Sequence, residues 1–130
     1  MQEKAKILII DDEEDICNFS KSILEKTGKF EVIVSTRPLA GIDLAKANKP
    51  DLVLLDLFMP EMDGSKVAEH LLANDATKNI PIVFLTALVK DEEVKDGAGR
   101  IGGRRFIPKP VSPQDLISQI EGILKKQEPI

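Results

Sequence analysis

Leu52-Val53-Leu54-Leu55-Asp56-Leu57-Phe58-Met59-Pro60-Glu61-Met62-Asp63-Gly64 is the stretch that decides the fold. Its four leading residues form an unbroken apolar run, too short for a helix and without alternation. Such a run fits a strand covered on both faces, as in a parallel α/β sheet. The run stops on a carboxylate, turns through Met59-Pro60, and gives way after Gly64 to a helical pattern over 65–74. There Val67, Ala68, Leu71 and Leu72 share a face.

The same alternation extends in both directions. Ile7–Ile10, Phe30–Val34, Ile82–Leu85 and the weaker Arg105–Ile107 read as further strands. A first helix is expected over 15–27, with Ile16, Phe19, Ile23 and Thr27 at steps of three and four and Gly28 as its stop. A second begins near Pro38, with Thr36 as a nearby cap, and runs to about Lys46. The last begins at Ser112-Pro113-Gln114-Asp115, an acidic capping box with Pro at the first helical position. Its apolar positions are Leu116, Ile117, Ile120, Ile123 and Leu124. Residues 91–98 have helical composition, but Gly97, Gly99, Gly102 and Gly103 crowd that region, and an internal glycine costs about 1 kcal/mol relative to alanine, so a short helix is expected there. The order βαβαβαβαβα implies a parallel sheet with helices on both faces.

The bulk properties narrow the function classes. A chain of 130 residues fits one domain of ordinary size, with a core over about 6–125 and a ragged tail over 126–130. A net charge of −4 argues against nonspecific nucleic-acid binding. Cys17 is the only cysteine, which excludes an intramolecular disulfide and a cysteine-rich metal site and fits a reducing compartment. The N-terminus leads into only four apolar residues, short of a signal peptide or a membrane span. The expected location is the cytoplasm.

In an open parallel sheet, ligands bind beyond the carboxyl ends of the strands. The residues found there are Asp11-Asp12 after the first strand, Asp56 after the third, Thr86 after the fourth and Lys109 after the fifth. Taken singly each has an ordinary explanation: an acidic helix start, a turn, a β-branched strand residue, a solvated lysine. Together they have a chemical logic. Clustered carboxylates need a cation, and their oxygens suit Mg²⁺. A lysine and a hydroxyl can neutralise and bond an arriving phosphoryl group, and one carboxylate can act as nucleophile to form an acyl phosphate.

The set Asp11-Asp12, Asp56 within Leu55–Gly64, Thr86-Ala87 and Lys109-Pro110 resembles the receiver family of two-component signalling over nearly the whole chain, about Lys6 to Lys125. The resemblance implies a flavodoxin-like, doubly wound five-stranded parallel sheet in the order 2-1-3-4-5. It implies Asp56 as phosphoacceptor, with Mg²⁺ (or Mn²⁺ in its place) held by Asp12 directly, by Asp11 largely through water, by Asp56 and by the main-chain carbonyl of Phe58. It further implies that Thr86 turns its hydroxyl to the phosphoryl group, that Lys109 pairs with it, that Phe106 is the aromatic switch residue, and that Lys109-Pro110 is a cis peptide. The partners implied are a sensor histidine kinase or histidine phosphotransfer protein as donor and a downstream protein or output domain as target. Neither nucleic acid nor membrane is bound by the domain itself, and dimerisation on phosphorylation is compatible with the pattern.

Departures from the family pattern are visible too. Phe106 lacks a hydroxyl, and 98–105 carries arginines and glycines where many members have small and acidic residues. Phe58 and Leu88 are apolar at positions the family uses to tune phosphate lifetime, which leads to the expectation of a long-lived phosphorylated state. Gly97-Ala98-Gly99-Arg100-Ile101-Gly102 matches the dinucleotide pattern G-x-G-x-x-G, but it follows polar residues and precedes a strand-like run, so it reads as accidental. His70 reads as a surface residue, and Arg100, Arg104 and Arg105 as a solvated turn. The competing function is a Mg²⁺-dependent phosphohydrolase of haloacid-dehalogenase type, which also uses an aspartyl phosphate. That class shows Asp-x-Asp after its first strand, whereas this chain has Asp-Asp.

Overall fold

The computed structural model describes residues 4–86, 100–101, 104–109 and 111–126. Strands β1 (Ala5–Ile10), β2 (Phe30–Ser35), β3 (Leu52–Leu55), β4 (Ile82–Thr86), β5 (Arg100–Ile101) and β6 (Arg104–Pro108) form one sheet, with helices α1 (Glu14–Lys26), α2 (Pro38–Asn48), α3 (Gly64–Ala73) and α4 (Pro113–Lys126) around it. The order is β2-β1-β3-β4-β6-β5. β2, β1, β3, β4 and β6 run parallel, so the five expected strands stand in the expected 2-1-3-4-5 order. The two-residue β5 was not expected. It pairs antiparallel with β6, Arg100 opposite Arg105 and Ile101 opposite Arg104. Arg100-Ile101 in a strand also removes the dinucleotide reading, which needs a helix at that point. The helix expected over 91–98 lies outside the described residues.

Period-two alternation places successive strand residues on opposite faces. Ile7, Ile9, Leu52, Leu54, Val83, Leu85 and Ile107 face α1 and α4, meeting Cys17, Leu24, Leu116, Ile120 and Ile123. Leu8, Ile10, Val53, Leu55, Ile82, Phe84 and Phe106 face α2 and α3, meeting Ile42, Ala45, Val67, Ala68 and Leu71. Both faces of the central strands are therefore dry, which is why their sequences are continuous rather than alternating. β2 is an edge strand, and one amide on its open side, that of Val32, donates to Glu25 Oε2 of α1 at 3.2 Å.

The end signals held at Gly28 and Ser112 but not at Thr36, and the phase of α1 differs from the expected stripe. Gly28, at φ 76°, follows α1, and its amide donates to Glu25 O at 3.1 Å. Ser112 Oγ accepts the Asp115 amide at 3.1 Å, as its capping role requires. Thr36 does not cap α2; the residue before Pro38 is Arg37, and it makes no side-chain cap bond. α1 buries Cys17, Ser20 and Leu24 rather than the stripe through Phe19, and Phe19 is 53% exposed. The small Ser20 sits on the buried face, while the larger Phe19 ring lies at its margin. Among the described residues no helix is long and apolar enough to cross a membrane.

Candidate functional site

β1 lies between β2 and β3, so the chain leaves β1 to one side and returns on the other. That reversal opens a crevice beyond the carboxyl ends of β1 and β3. Asp11 and Asp56 are the first residues past those ends. The parallel ladder continues through their amides, with Asp11 N donating to Ser35 O at 3.1 Å and Asp56 N to Ile10 O at 2.9 Å. Both aspartates are held by sheet backbone, and both are buried, at 1% and 5% exposure. Asp12, one residue on, faces solvent. Carboxylate oxygens of Asp11, Asp12 and Asp56 lie within 4.8 Å of one another.

Lys109 enters from the end of β6. Its ammonium donates to Asp11 Oδ2 at 2.7 Å, lies 3.4 Å from Glu13 Oε1, and stands 3.9 Å from Asp56 Oδ2. The other oxygen of Asp11 accepts the Glu13 amide at 2.9 Å, a side-chain turn that holds the loop into α1. Asp56 Oδ1 accepts the Phe58 amide at 3.4 Å. Burial, together with the neighbouring Asp11 charge, pushes the Asp56 carboxyl up to about 7, against the pull of Lys109. Burial lowers the Lys109 ammonium, but the Asp11 hydrogen bond and the charges of Asp11, Asp56 and Glu13 outweigh it and leave it raised.

Asp11, Asp12, Asp56 and Lys109 are thus brought together as the sequence suggested. Thr86 ends β4 opposite Pro108, the residue before Lys109, so its backbone borders the crevice; its side chain lies outside the described residues, as do Pro110 and the expected cis bond. Phe106 is 3% exposed and packs on the α2–α3 face. Phe58 is half exposed in the loop after Asp56. His70 is exposed on α3, away from any group of metal-ligand side chains among the described residues.

Three contributors escaped sequence reading. Glu13 looked like one acid among five, and only the return of β6 places Lys109 beside it. Cys17 donates its thiol to Asp11 O at 3.3 Å, and burial pushes that thiol up to about 11. Gly64 supports the backbone of Asp56: its amide donates to Leu57 O at 2.7 Å, and a Cβ there would press into the Asp56 carbonyl and sit 2.8 Å from Leu57 Cα. Beside Lys109 a groove of about 320 Å³ opens, lined by Ile16, Phe19, Leu85 and Val111.

Chemically, three oxygen donors at a buried, net-anionic corner suit a hard divalent cation and fit Mg²⁺. An adjacent ammonium and an aspartate with a free oxygen face suit an incoming phosphoryl group.

Comparison with known proteins gives a consistent answer. The family model for the response regulator receiver domain matches residues 7–121. The Bacillus subtilis alkaline phosphatase synthesis transcriptional regulatory protein PhoP is 35% identical over 124 residues, covering 95% of this chain and 50% of that protein. The Pseudomonas aeruginosa phosphate regulon transcriptional regulatory protein PhoB is 32% identical over 123 residues, covering 95% of this chain and 53% of that protein. The chain spans about half the length of the curated relatives it matches. Among solved structures, a CheY-like response regulator receiver domain protein from Methanospirillum hungatei superimposes with a TM-score of 0.79 at 28% identity, covering 96% of this chain and 97% of that one. The receiver domain of the Francisella response regulator 1452 does so with a TM-score of 0.80 at 26% identity, covering 96% and 100%.

Proposed function

The chain belongs to the response regulator receiver domain family of two-component signalling, and from that premise we propose that it is a switch phosphorylated on Asp56 in a Mg²⁺-dependent reaction. The observation that carries this reading is the meeting of Lys109 with Asp11 and Asp56, at 2.7 and 3.9 Å, at the sheet's switch point.

In the proposed reaction an Asp56 oxygen attacks the phosphorus of a phosphohistidine. The P–N bond breaks, its electron pair stays with the imidazole, and an acyl phosphate forms on Asp56. Lys109 turns one of its N–H groups to a phosphoryl oxygen, and the Thr86 hydroxyl donates to another. Asp11, Asp12, Asp56 and the Phe58 carbonyl would hold Mg²⁺, which when bound supplies positive charge that keeps Asp56 ionised and offsets charge on the transferring group. Phe106, already inside the α2–α3 core, would couple the movement of Thr86 to the far face. The output is a population shift between two conformers.

The donor is a sensor histidine kinase or a histidine phosphotransfer protein, and the target is a downstream protein or an attached output domain. The setting is cytoplasmic, and residues 1–130 make one receiver domain with its core over about 6–125. Of the two aspartyl-phosphate chemistries, the phosphohydrolase is disfavoured by the buried Asp11, which bonds Lys109 and the Glu13 amide and so is not free to act as the first nucleophile. Incubation with p-nitrophenyl phosphate and Mg²⁺ separates them. A switch takes at most one phosphoryl group per chain, whereas sustained turnover of the ester would establish the hydrolase.

A further inference from the structure

Resting on the phosphoacceptor reading above, we propose that Glu13 is a positioning residue that draws Lys109 away from the phosphoryl site and so slows loading of Asp56. The ammonium is shared unequally. It is bonded to Asp11, lies 3.4 Å from Glu13, and remains 3.9 Å from Asp56. Its side chain is 9% exposed while that of Glu13 is 61% exposed, so Glu13 reaches from the solvent side to a cation that is otherwise enclosed. An ammonium has three hydrogens to place. An arriving phosphoryl group must take at least one of them, and Glu13 is the acceptor it displaces most easily, being the longer contact and the more solvated group.

Glu13 is well placed for this role. Its amide is fixed by Asp11 Oδ1 at 2.9 Å, so its Cα is set by the same aspartate that bonds Lys109. It stands at the N-cap of α1 but makes no side-chain cap bond, which leaves the carboxylate free to turn to Lys109. Its negative charge also opposes the approach of an anionic donor, an effect that salt should screen.

The test is the rate of phosphorylation by acetyl phosphate at saturating Mg²⁺, read by intact mass, for the wild type, Glu13→Gln, Glu13→Ser and Glu13→Asp. Glu13→Gln is expected to load roughly threefold faster at low ionic strength, the size of effect one partly exposed charge produces at this range, and the advantage shrinks toward one in high salt. Glu13→Ser, which removes the charge but keeps a favoured N-cap residue, gives the same gain. Glu13→Asp, which keeps the charge, stays near the wild type. A purely structural role would instead lower the melting temperature and leave no salt-dependent rate difference. If the wild type loads and Glu13→Gln loads at the same rate or more slowly, the role of Glu13 is overturned and the phosphoacceptor reading stands. If the wild type neither loads nor binds beryllofluoride, both are overturned.

Discussion

Gly64 lies against the backbone of Asp56: its amide donates to Leu57 O at 2.7 Å, and there is no room between its Cα and the Asp56 carbonyl for a methyl group. The start of α3 is therefore the floor under Asp56, the proposed phosphoacceptor. Gly64→Ala must move either the helix or Asp56, at a cost of about 1–3 kcal/mol by analogy with other overpacked sites. The expected outcome is a lower urea midpoint together with slower loading from acetyl phosphate. A variant of unchanged stability and rate would show that the loop yields freely.

Asp56 gives the metal-free protein a pH dependence of definite sign. Its carboxyl is pushed up to about 7 in the fold by burial and by Asp11, so the protonated form favours the folded state. That contribution is fully present below about pH 4 and is lost as pH rises to about 7. Unfolding in urea without Mg²⁺ is expected to show stability falling across this window by a few kcal/mol, on the order of 1.4 kcal/mol per unit of pKa difference. Asp56→Asn should remove the slope and exceed the wild type in stability at pH 8. Added Mg²⁺ should restore wild-type stability there, because it binds only the folded site.

Much of this site was legible because sheet topology converts sequence position into spatial position. A carboxylate directly after an apolar run, as at Asp11 and Asp56, or a lysine after one, as at Lys109, must lie at the carboxyl edge of a parallel sheet. What could not be read depends on phase and on distant returns of the chain. The stripe expected for α1 runs through Ile16, Phe19, Ile23 and Thr27, whereas the buried face is Cys17, Ser20 and Leu24, with Phe19 exposed. The Glu13–Lys109 contact joins residues 96 apart in sequence. The β5 pairing rests on two residues, too few to carry a periodicity.

Lys49 ends α2 in the left-handed region, at φ 48°, with its amide bonded to Ala45 O at 2.9 Å. A side chain there costs about 1–2 kcal/mol, of which glycine's greater unfolded-state entropy returns a part. Lys49→Gly is expected to raise stability by about 0.5–1 kcal/mol without changing the loading of Asp56. Equilibrium urea unfolding measures the first and intact mass the second.

Phe58 is half exposed in the loop directly after Asp56. An apolar side chain there, with Leu88 after β4, is expected to hinder an in-line water and prolong the phosphorylated state. Phe58→Asn combined with Leu88→Glu should speed loss of the phosphoryl group several-fold, followed by mass after the donor is removed. An unchanged rate would mean that neither residue screens the acyl phosphate.

The most direct test is intact-mass spectrometry of the wild type and Asp56→Asn after incubation with acetyl phosphate, with and without Mg²⁺. The expected result is a gain of one phosphoryl group in the wild type, absent without Mg²⁺ and absent in Asp56→Asn. Equal labelling of the two proteins, or no labelling of the wild type from either acetyl phosphate or a phosphohistidine donor, would contradict Asp56 as the phosphoacceptor.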